Sequence, residues 1–129
     1  TLPDEGVVAI HDAVRPFPTV EMIQKCFDAA ALHGSAIPVT PLKNSIRRLD
    51  KNGKSTAENR ADFLNVQTPQ CFDLSLIKPA FAVEYDPSFT DDASVFEAAG
   101  HSIHLCEGDP INMKITTNED LNIARALSN

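Results

Sequence analysis

The sequence is poor in cysteine and glycine, with three cysteines and five glycines among 129 residues. An odd number of cysteines without Cys-X-X-Cys spacing predicts free thiols in a reducing, cytoplasmic location rather than a disulfide framework. No apolar run approaches the roughly 20 residues that cross a bilayer, and no signal-peptide pattern is present. The four histidines lack zinc-ligand spacing, and no serine lies in a Gly-X-Ser-X-Gly turn, so neither a zinc centre nor a hydrolytic triad is expected.

Positive charge is also scarce. There are 11 Lys and Arg residues against 18 Asp and Glu residues, a formal net charge of −7. Binding to a nucleic-acid backbone requires a basic face, so we expect no nucleic-acid partner. A small anion held by a few local cations is still compatible with this charge. The length and the 43% hydrophobic content suit a single domain, 1–129, with one core.

Strand and helix patterns alternate along the chain. The run Val7-Val8-Ala9-Ile10 is typical of a strand that is buried on both faces. Thr19 is placed to cap a helix that ends at Gly34. The other predicted elements are strands at 36–39, 63–66, 102–106 and 113–115, a helix at 73–85 kinked by Pro79, a helix at 91–99 capped by Thr90, and a helix at 117–127. This alternation predicts an α/β fold with a mostly parallel sheet.

The segment 44–60 breaks this pattern. It is polar on both sides, and Asn52-Gly53 is a strong hairpin turn signal. A hairpin without core residues is unstable by itself. We therefore interpret 44–60 as a protruding β-arm that packs on another surface, such as a second subunit.

Polar residues follow two of the predicted strands, where α/β sheets usually bind ligands. Asp12, in the sequence His-Asp-Ala-Val-Arg-Pro, is a hard oxygen ligand suited to Mg²⁺. The simpler interpretation is that Asp12 pairs with Arg15 or caps the loop. Lys114 lies between apolar neighbours and either binds a phosphate or carboxylate group or points to solvent from an edge strand.

Two threonines and one arginine complete the candidates. Thr68 at a strand end and Thr90 at a helix start could donate hydrogen bonds to a phosphate, although Thr90 also fits a plain helix cap. Arg60 is by default a surface arginine. The spacing predicts an anion-handling site with a divalent metal, without naming a substrate.

Several motifs occur in an order that is similar to that of a known family. They are HDAVRPF at 11–17, NR at 59–60, VQTPQCF at 66–72, TDDAS at 90–94 and EGDPINMKITTNEDL at 107–121. Over nearly the whole chain they resemble the 2-C-methyl-D-erythritol 4-phosphate cytidylyltransferases of non-mevalonate isoprenoid synthesis. The resemblance implies a glycosyltransferase-A-like, Rossmann-related nucleotidyltransferase fold. It also implies a Mg²⁺-dependent reaction in which the phosphate of a sugar-alcohol phosphate attacks the α-phosphorus of CTP and displaces pyrophosphate.

The resemblance further implies residue roles. Asp12 would hold Mg²⁺ on the triphosphate, with the neighbouring Ala13 on the cofactor-binding side, and Lys114 would offset charge as the new bond forms. Arg60 would bind the methylerythritol phosphate from the arm of the other subunit of a homodimer. The remaining substrate-binding residues would be Arg15, Ser45, Thr68 and Thr90.

One family motif has no counterpart in the sequence. The family opens with a glycine-rich nucleotide loop followed by an essential Arg and Lys, and no Gly-X-Gly-X-Arg-like segment occurs here. We therefore expect an N-terminally truncated fragment that carries the polyol-phosphate side and is inactive in isolation. Two alternatives stay open: a pentitol-phosphate enzyme, such as a ribitol 5-phosphate cytidylyltransferase, and an inactive dimerising module that binds phosphate.

Overall fold

The computed structural model describes residues 1–129. In chain order the elements are β1 (Val7–Ile10), α1 (Val20–His33), β2 (Ser35–Pro41), β3 (Ile46–Leu49), β4 (Ser55–Glu58), a 3₁₀ turn (Arg60–Asp62), β5 (Leu64–Val66), β6 (Gln70–Asp73), α2 (Leu74–Ala80), α3 (Asp92–Ala98), β7 (Leu105–Glu107) and α4 (Asn118–Leu127). The predicted α/β class is confirmed. None of the helices combines the length and apolar character that crossing a membrane requires.

The main sheet has five strands in the order β1-β6-β2-β5, with β7 also paired to β2. β6 is antiparallel to both β1 and β2, β5 is antiparallel to β2, and β7 is parallel to β2. β1, β2 and β7 therefore run in one direction and β5 and β6 in the other. The prediction of a mostly parallel sheet is corrected to a mixed sheet, because β5 and the unpredicted strand β6 both run antiparallel to β2.

The missed strand β6 lies in the middle of the sheet. Its first three residues, Gln70, Cys71 and Phe72, are all buried. The sequence prediction placed no strand between the strand at 63–66 and the helix at 73–85. Because a strand covered on both faces shows no polar alternation, its period-two signal is absent from the sequence. Asp73 does cap α2, since its side chain accepts a hydrogen bond from the Ser75 backbone N–H.

Helices cover both faces of this sheet. On one face, Met22, Cys26 and Ala30 of α1 cluster with Ala36 and Cys71. On the other, residues of α2 and α3 cluster with Ile37 and Phe72. Successive strand residues point to opposite faces, so the neighbours Ala36 and Ile37, and likewise Cys71 and Phe72, divide the core into two layers.

Helix α1 begins and ends where the sequence predicts. The Thr19 hydroxyl accepts a hydrogen bond from the Met22 backbone N–H at 3.1 Å. Gly34 has φ +86°, a left-handed conformation that ends the helix, and glycine adopts it without the Cβ clash that other residues meet.

The other helical boundaries differ in part from the prediction. Helix α2 ends at Ala80 rather than near 85. Helix α3 is capped by Asp91 rather than Thr90, because the Asp91 carboxylate accepts the Ser94 backbone N–H in a capping box. The predicted helix at 117–127 is confirmed as α4, which begins with a capping box formed by Thr117 and Asp120.

The segment 113–115 is not a strand. Its backbone is fixed by single hydrogen bonds, such as that from the Ile115 N–H to the Val14 carbonyl at 2.9 Å, rather than by a sheet ladder. The predicted strand at 102–106 is also shorter and shifted, as β7 at Leu105–Glu107.

The polar hairpin is confirmed. β3 and β4 form their own two-stranded antiparallel sheet. The turn is held by the Asp50 carboxylate, which accepts hydrogen bonds from the backbone N–H groups of Asn52 and Lys54.

Candidate functional site

A cavity of about 790 Å³ lies beyond the end of β1, beside the segment that joins β5 to β6 and the start of α3. The predicted site residues that line it are Asp12, Arg15, Thr68, Thr90 and Lys114. They come from four separate parts of the sequence, around 12–15, 68, 90 and 114, so the fold brings them together.

Asp12 is the centre of an ion cluster. Its Oδ2 atom lies 3.0 Å from Arg15 Nε and 3.4 Å from Lys114 Nζ. Partial burial alone would raise the pKa of the Asp12 carboxyl, but the Arg15 hydrogen bond and the Lys114 charge outweigh it and hold that pKa below its ordinary value. Asp12 is therefore a carboxylate at neutral pH, and it does pair with Arg15, as the simpler interpretation proposed.

Arg15 joins three segments of chain. Besides Asp12, its guanidinium donates to the Asn112 carbonyl at 2.8 Å and to the Val66 carbonyl at 3.4 Å. Its side chain is only 10% exposed. A planar guanidinium held by several acceptors keeps one orientation, so Arg15 presents a fixed positive charge to the cavity.

Lys114 is freer than Arg15. Its side chain is 48% exposed, and the 3.4 Å contact with Asp12 is its one ion pair. A flexible ammonium group can turn from a carboxylate to an incoming phosphate at little cost.

Thr68 is held from two sides. Its Oγ1 accepts a hydrogen bond from the Asp12 backbone N–H at 2.9 Å and lies 2.9 Å from His11 Nδ1. His11 Nε2 in turn lies 2.8 Å from the Arg15 carbonyl oxygen. Thr90 is exposed at the cavity edge, directly before the Asp91 cap of α3.

Buried amide side chains support the cavity, and sequence reasoning gave them no role. Gln70, 1% exposed, donates from Nε2 to Asp91 Oδ2 at 2.9 Å and accepts the Ala93 N–H at 3.0 Å. It ties the loop that carries Thr90 to the central strand. The only sequence feature that could have indicated its role is its position directly after Thr68-Pro69, and a glutamine there is equally typical of a loop.

Two further buried amides, Gln67 and Asn112, hold the segment that precedes Lys114. Gln67 donates to the Asp109 carbonyl at 2.8 Å and accepts the Asp109 N–H at 3.1 Å. Asn112 donates to the Thr68 carbonyl at 2.8 Å, while its buried Oδ1 has no hydrogen-bond partner. A Cβ at Gly108 would lie 2.6 Å from Gln67 Oε1, so only glycine lets this loop approach.

The acidic side of the cavity is formed by Asp91 and Asp92. Burial raises the pKa of Asp92 most strongly, followed by repulsion from Asp91 and Asp12. No set of three or more His, Cys, Asp or Glu side chains is placed to chelate a metal ion. The donors fit Mg²⁺ only in its common mode with phosphate-bearing substrates, where one or two carboxylates share the ion with phosphate oxygens and waters.

Three predicted residues lie outside the cavity. Ala13 is in an exposed turn, and Ser45 is exposed just before β3. Arg60 is exposed at the end of the arm, where the 3₁₀ turn begins, and its guanidinium donates to the Lys43 carbonyl. The roles predicted for these residues stay predictions.

The fold matches solved cytidylyltransferases. The crystal structure of 2-C-methyl-D-erythritol 4-phosphate cytidylyltransferase from Thermus thermophilus superposes with a TM-score of 0.84 at 32% identity, covering 95% of this chain and 61% of that one. The enzyme of the same name from Francisella tularensis gives a TM-score of 0.80 at 26% identity, covering 96% and 60%. The predicted nucleotidyltransferase fold is thus confirmed.

Sequence comparison narrows the class to one family. The model of the 2-C-methyl-D-erythritol 4-phosphate cytidylyltransferases, IspD, matches residues 2–129, and the chain belongs to this family. The enzyme of Bacteroides thetaiotaomicron is 47% identical over 122 residues, covering 95% of this chain and 55% of its own length. This chain spans about half the length of the curated relatives it matches. The ribitol 5-phosphate alternative is not favoured.

Proposed function

We propose that this chain supplies the polyol-phosphate side of a cytidylyltransferase that joins 2-C-methyl-D-erythritol 4-phosphate to CTP. The products are 4-diphosphocytidyl-2-C-methyl-D-erythritol and pyrophosphate. The observation that carries this proposal is that Arg15 and Lys114 both lie within 3.4 Å of the Asp12 carboxylate, at a cavity of about 790 Å³ that can hold a small phosphorylated sugar alcohol. The names of the relatives supply the substrate.

The residues act by positioning and by charge neutralisation, which dominate phosphoryl-transfer chemistry. Arg15, fixed by its carbonyl partners, binds the acceptor phosphate and orients the attacking oxygen. Lys114 turns from Asp12 to the phosphate and offsets the charge that develops as the oxygen reaches the α-phosphorus.

Mg²⁺, when bound, would neutralise triphosphate charge and align the leaving group. Asp12 would hold it. Arg15 and Lys114 both contact the Oδ2 atom of Asp12, which leaves the other carboxylate oxygen to bind the metal. Asp12 keeps this role at neutral pH, since its lowered pKa keeps the carboxylate ionised.

The proposal includes a homodimer that is formed through the arm at 44–60. The arm residues between 47 and 57 are all exposed, and a two-stranded hairpin needs a packing surface to be stable. In such a dimer Ser45 and Arg60 of one chain would reach the acceptor site of the other, and Ala13 would face the cofactor. Sedimentation at micromolar concentration tests this, and a clean monomer would count against the arm assignment.

Calorimetric titration of the 129-residue chain with 2-C-methyl-D-erythritol 4-phosphate tests the acceptor site. Replacing Lys114 with methionine should weaken binding roughly tenfold or more, since a charge-assisted hydrogen bond contributes about 1.5–3 kcal/mol. The matched control Lys78→Met should bind as the parent does, because Lys78 pairs with Asp4 outside the cavity.

Each of the following outcomes would contradict a different part of the proposal. No binding by the parent chain, or an equal loss in the two lysine variants, would contradict the proposed site. Tighter binding of ribitol 5-phosphate would contradict the substrate. Release of pyrophosphate from CTP by this chain would contradict the expectation that it is inactive in isolation.

A further inference from the structure

His11 and Thr68 belong to a chain of hydrogen bonds whose direction is fixed by its two ends. At one end His11 Nε2 lies 2.8 Å from the Arg15 carbonyl oxygen. At the other, the Asp12 backbone N–H points to Thr68 Oγ1 at 2.9 Å. The middle contact joins Thr68 Oγ1 to His11 Nδ1 at 2.9 Å.

The proton positions follow from the chemistry of these ends. A carbonyl oxygen only accepts hydrogen bonds, so His11 Nε2 must carry a proton. In a neutral imidazole the other nitrogen, Nδ1, is then an acceptor. The Thr68 hydroxyl therefore accepts from Asp12 and gives its single proton to His11.

This arrangement limits what Thr68 can offer a ligand. A hydroxyl group has one proton and two lone pairs. The proton is used by His11 and one lone pair by Asp12, which leaves one lone pair for a ligand in the cavity that Thr68 lines. An ionised phosphate oxygen is itself only an acceptor and cannot pair with it, whereas a ligand hydroxyl group can.

We propose that His11 is a positioning residue that fixes the Thr68 hydroxyl so that Thr68 accepts a hydrogen bond from a hydroxyl group of the polyol, leaving the phosphate to Arg15 and Lys114. The identity of the ligand rests on the proposed function. His11 does not line the cavity, so its effect passes through Thr68. This assignment is an alternative to the expectation that Thr68 donates to a phosphate, which stays a prediction.

The proton positions can be read directly by ¹⁵N NMR of the histidine ring at pH 7.5, in the free chain and with 2-C-methyl-D-erythritol 4-phosphate. We expect the ring proton of His11 on Nε2, with Nδ1 as the acceptor, in both states. A proton on Nδ1 alone, or a doubly protonated ring, would overturn the proposal.

Two variants separate positioning from simple packing. In His11→Asn the amide oxygen takes the place of Nδ1 and still accepts the Thr68 proton. In His11→Gln the longer amide reaches the Arg15 carbonyl instead and leaves Thr68 free to rotate. We expect the polyol phosphate to bind His11→Asn within about threefold of the parent chain and His11→Gln about tenfold more weakly.

Methyl phosphate, which has no polyol hydroxyl group, is the matched probe, and both variants should bind it as the parent does. The proposal would be overturned if His11→Gln bound both ligands more weakly by the same factor, or if it bound the polyol phosphate as tightly as the parent chain does. A parent chain that binds neither ligand would overturn the proposed function together with the ligand assigned to Thr68. If the parent chain binds the polyol phosphate but the His11 proton lies on Nδ1, only the role of His11 would be overturned.

Discussion

Gln70 is a buried residue whose loss should disturb the cavity. It is 1% exposed, and it holds the start of α3 to the central strand through Asp91 and the Ala93 N–H. Leucine has a similar size but cannot form either hydrogen bond. In Gln70→Leu the loop that carries Thr90 therefore loses its attachment to β6.

The loss of unfolding free energy in Gln70→Leu can be worked out from these two contacts. The Ala93 N–H would be buried without a partner, at a cost of about 1–3 kcal/mol. The bond to the Asp91 carboxylate is charge-assisted and contributes about 1.5–3 kcal/mol. Because the leucine recovers part of this by burying apolar surface, we expect the free energy of unfolding to fall by about 3 kcal/mol.

Urea unfolding followed by circular dichroism measures this change. The matched control is Gln24→Leu, because Gln24 also donates to an aspartate, Asp28, at 2.9 Å, but on the exposed face of α1. Its unfolding free energy should change by less than about 0.5 kcal/mol. If Gln70→Leu is as mild as Gln24→Leu, the reasoning about the buried amide is refuted. Faster exchange of the Ala93 amide hydrogen in Gln70→Leu would localise the loss.

Other perturbations test separate parts of the structure. Gly34→Ala should lower the unfolding free energy by about 1–2 kcal/mol, since φ is +86° and the new Cβ would lie 3.1 Å from Leu76 Cδ1; an unchanged urea midpoint would contradict this. Above about pH 4 the parent chain should have a larger free energy of unfolding than Asp12→Asn. This difference in unfolding free energy should vanish as the pH falls through the lowered pKa of Asp12. A difference that is constant down to pH 2.5 would contradict the ion cluster. Iodoacetamide at pH 8 should not label Cys26 in the folded chain. Contact with Cys106 alone would lower the pKa of Cys26, but contact with Cys71 and burial raise it to about 11; labelling at the rate found in urea would contradict this.

Local signals in the sequence predicted both ends of α1 and the hairpin well. Thr19 and Gly34 have side-chain and backbone preferences that act within one turn of helix, and both bound α1 as predicted. Asn52-Gly53 predicted the turn of the arm for the same reason. Such features depend on a few neighbouring residues and so can be read without knowledge of the fold.

The features that the sequence did not predict depend on distant contacts. β6 is a strand because β1 and β2 flank it on both sides, and its own residues show no alternating pattern. Lys114 reaches the cavity from an irregular segment that Arg15 and Val14 hold in place, which explains why a strand was wrongly predicted there.

The residues of the candidate site were likewise predicted where the signal is local in the sequence and missed where it depends on distant contacts. Asp12, Arg15, Thr68, Thr90 and Lys114 were found from strand ends and family motifs, and all of them line the cavity. The amides that support them were missed because their partners lie more than 20 residues away, as with Gln70 and Ala93. A buried glutamine has no signature until the fold shows what surrounds it.

The most direct test of the proposed acceptor site is a map of backbone amide shifts in the 129-residue chain on addition of 2-C-methyl-D-erythritol 4-phosphate. We expect saturable shifts that are largest at Asp12, Arg15, Thr68 and Lys114. Shifts concentrated elsewhere, for example in the groove between Phe17 and Leu121, would contradict this site, as would the absence of any shift at millimolar ligand.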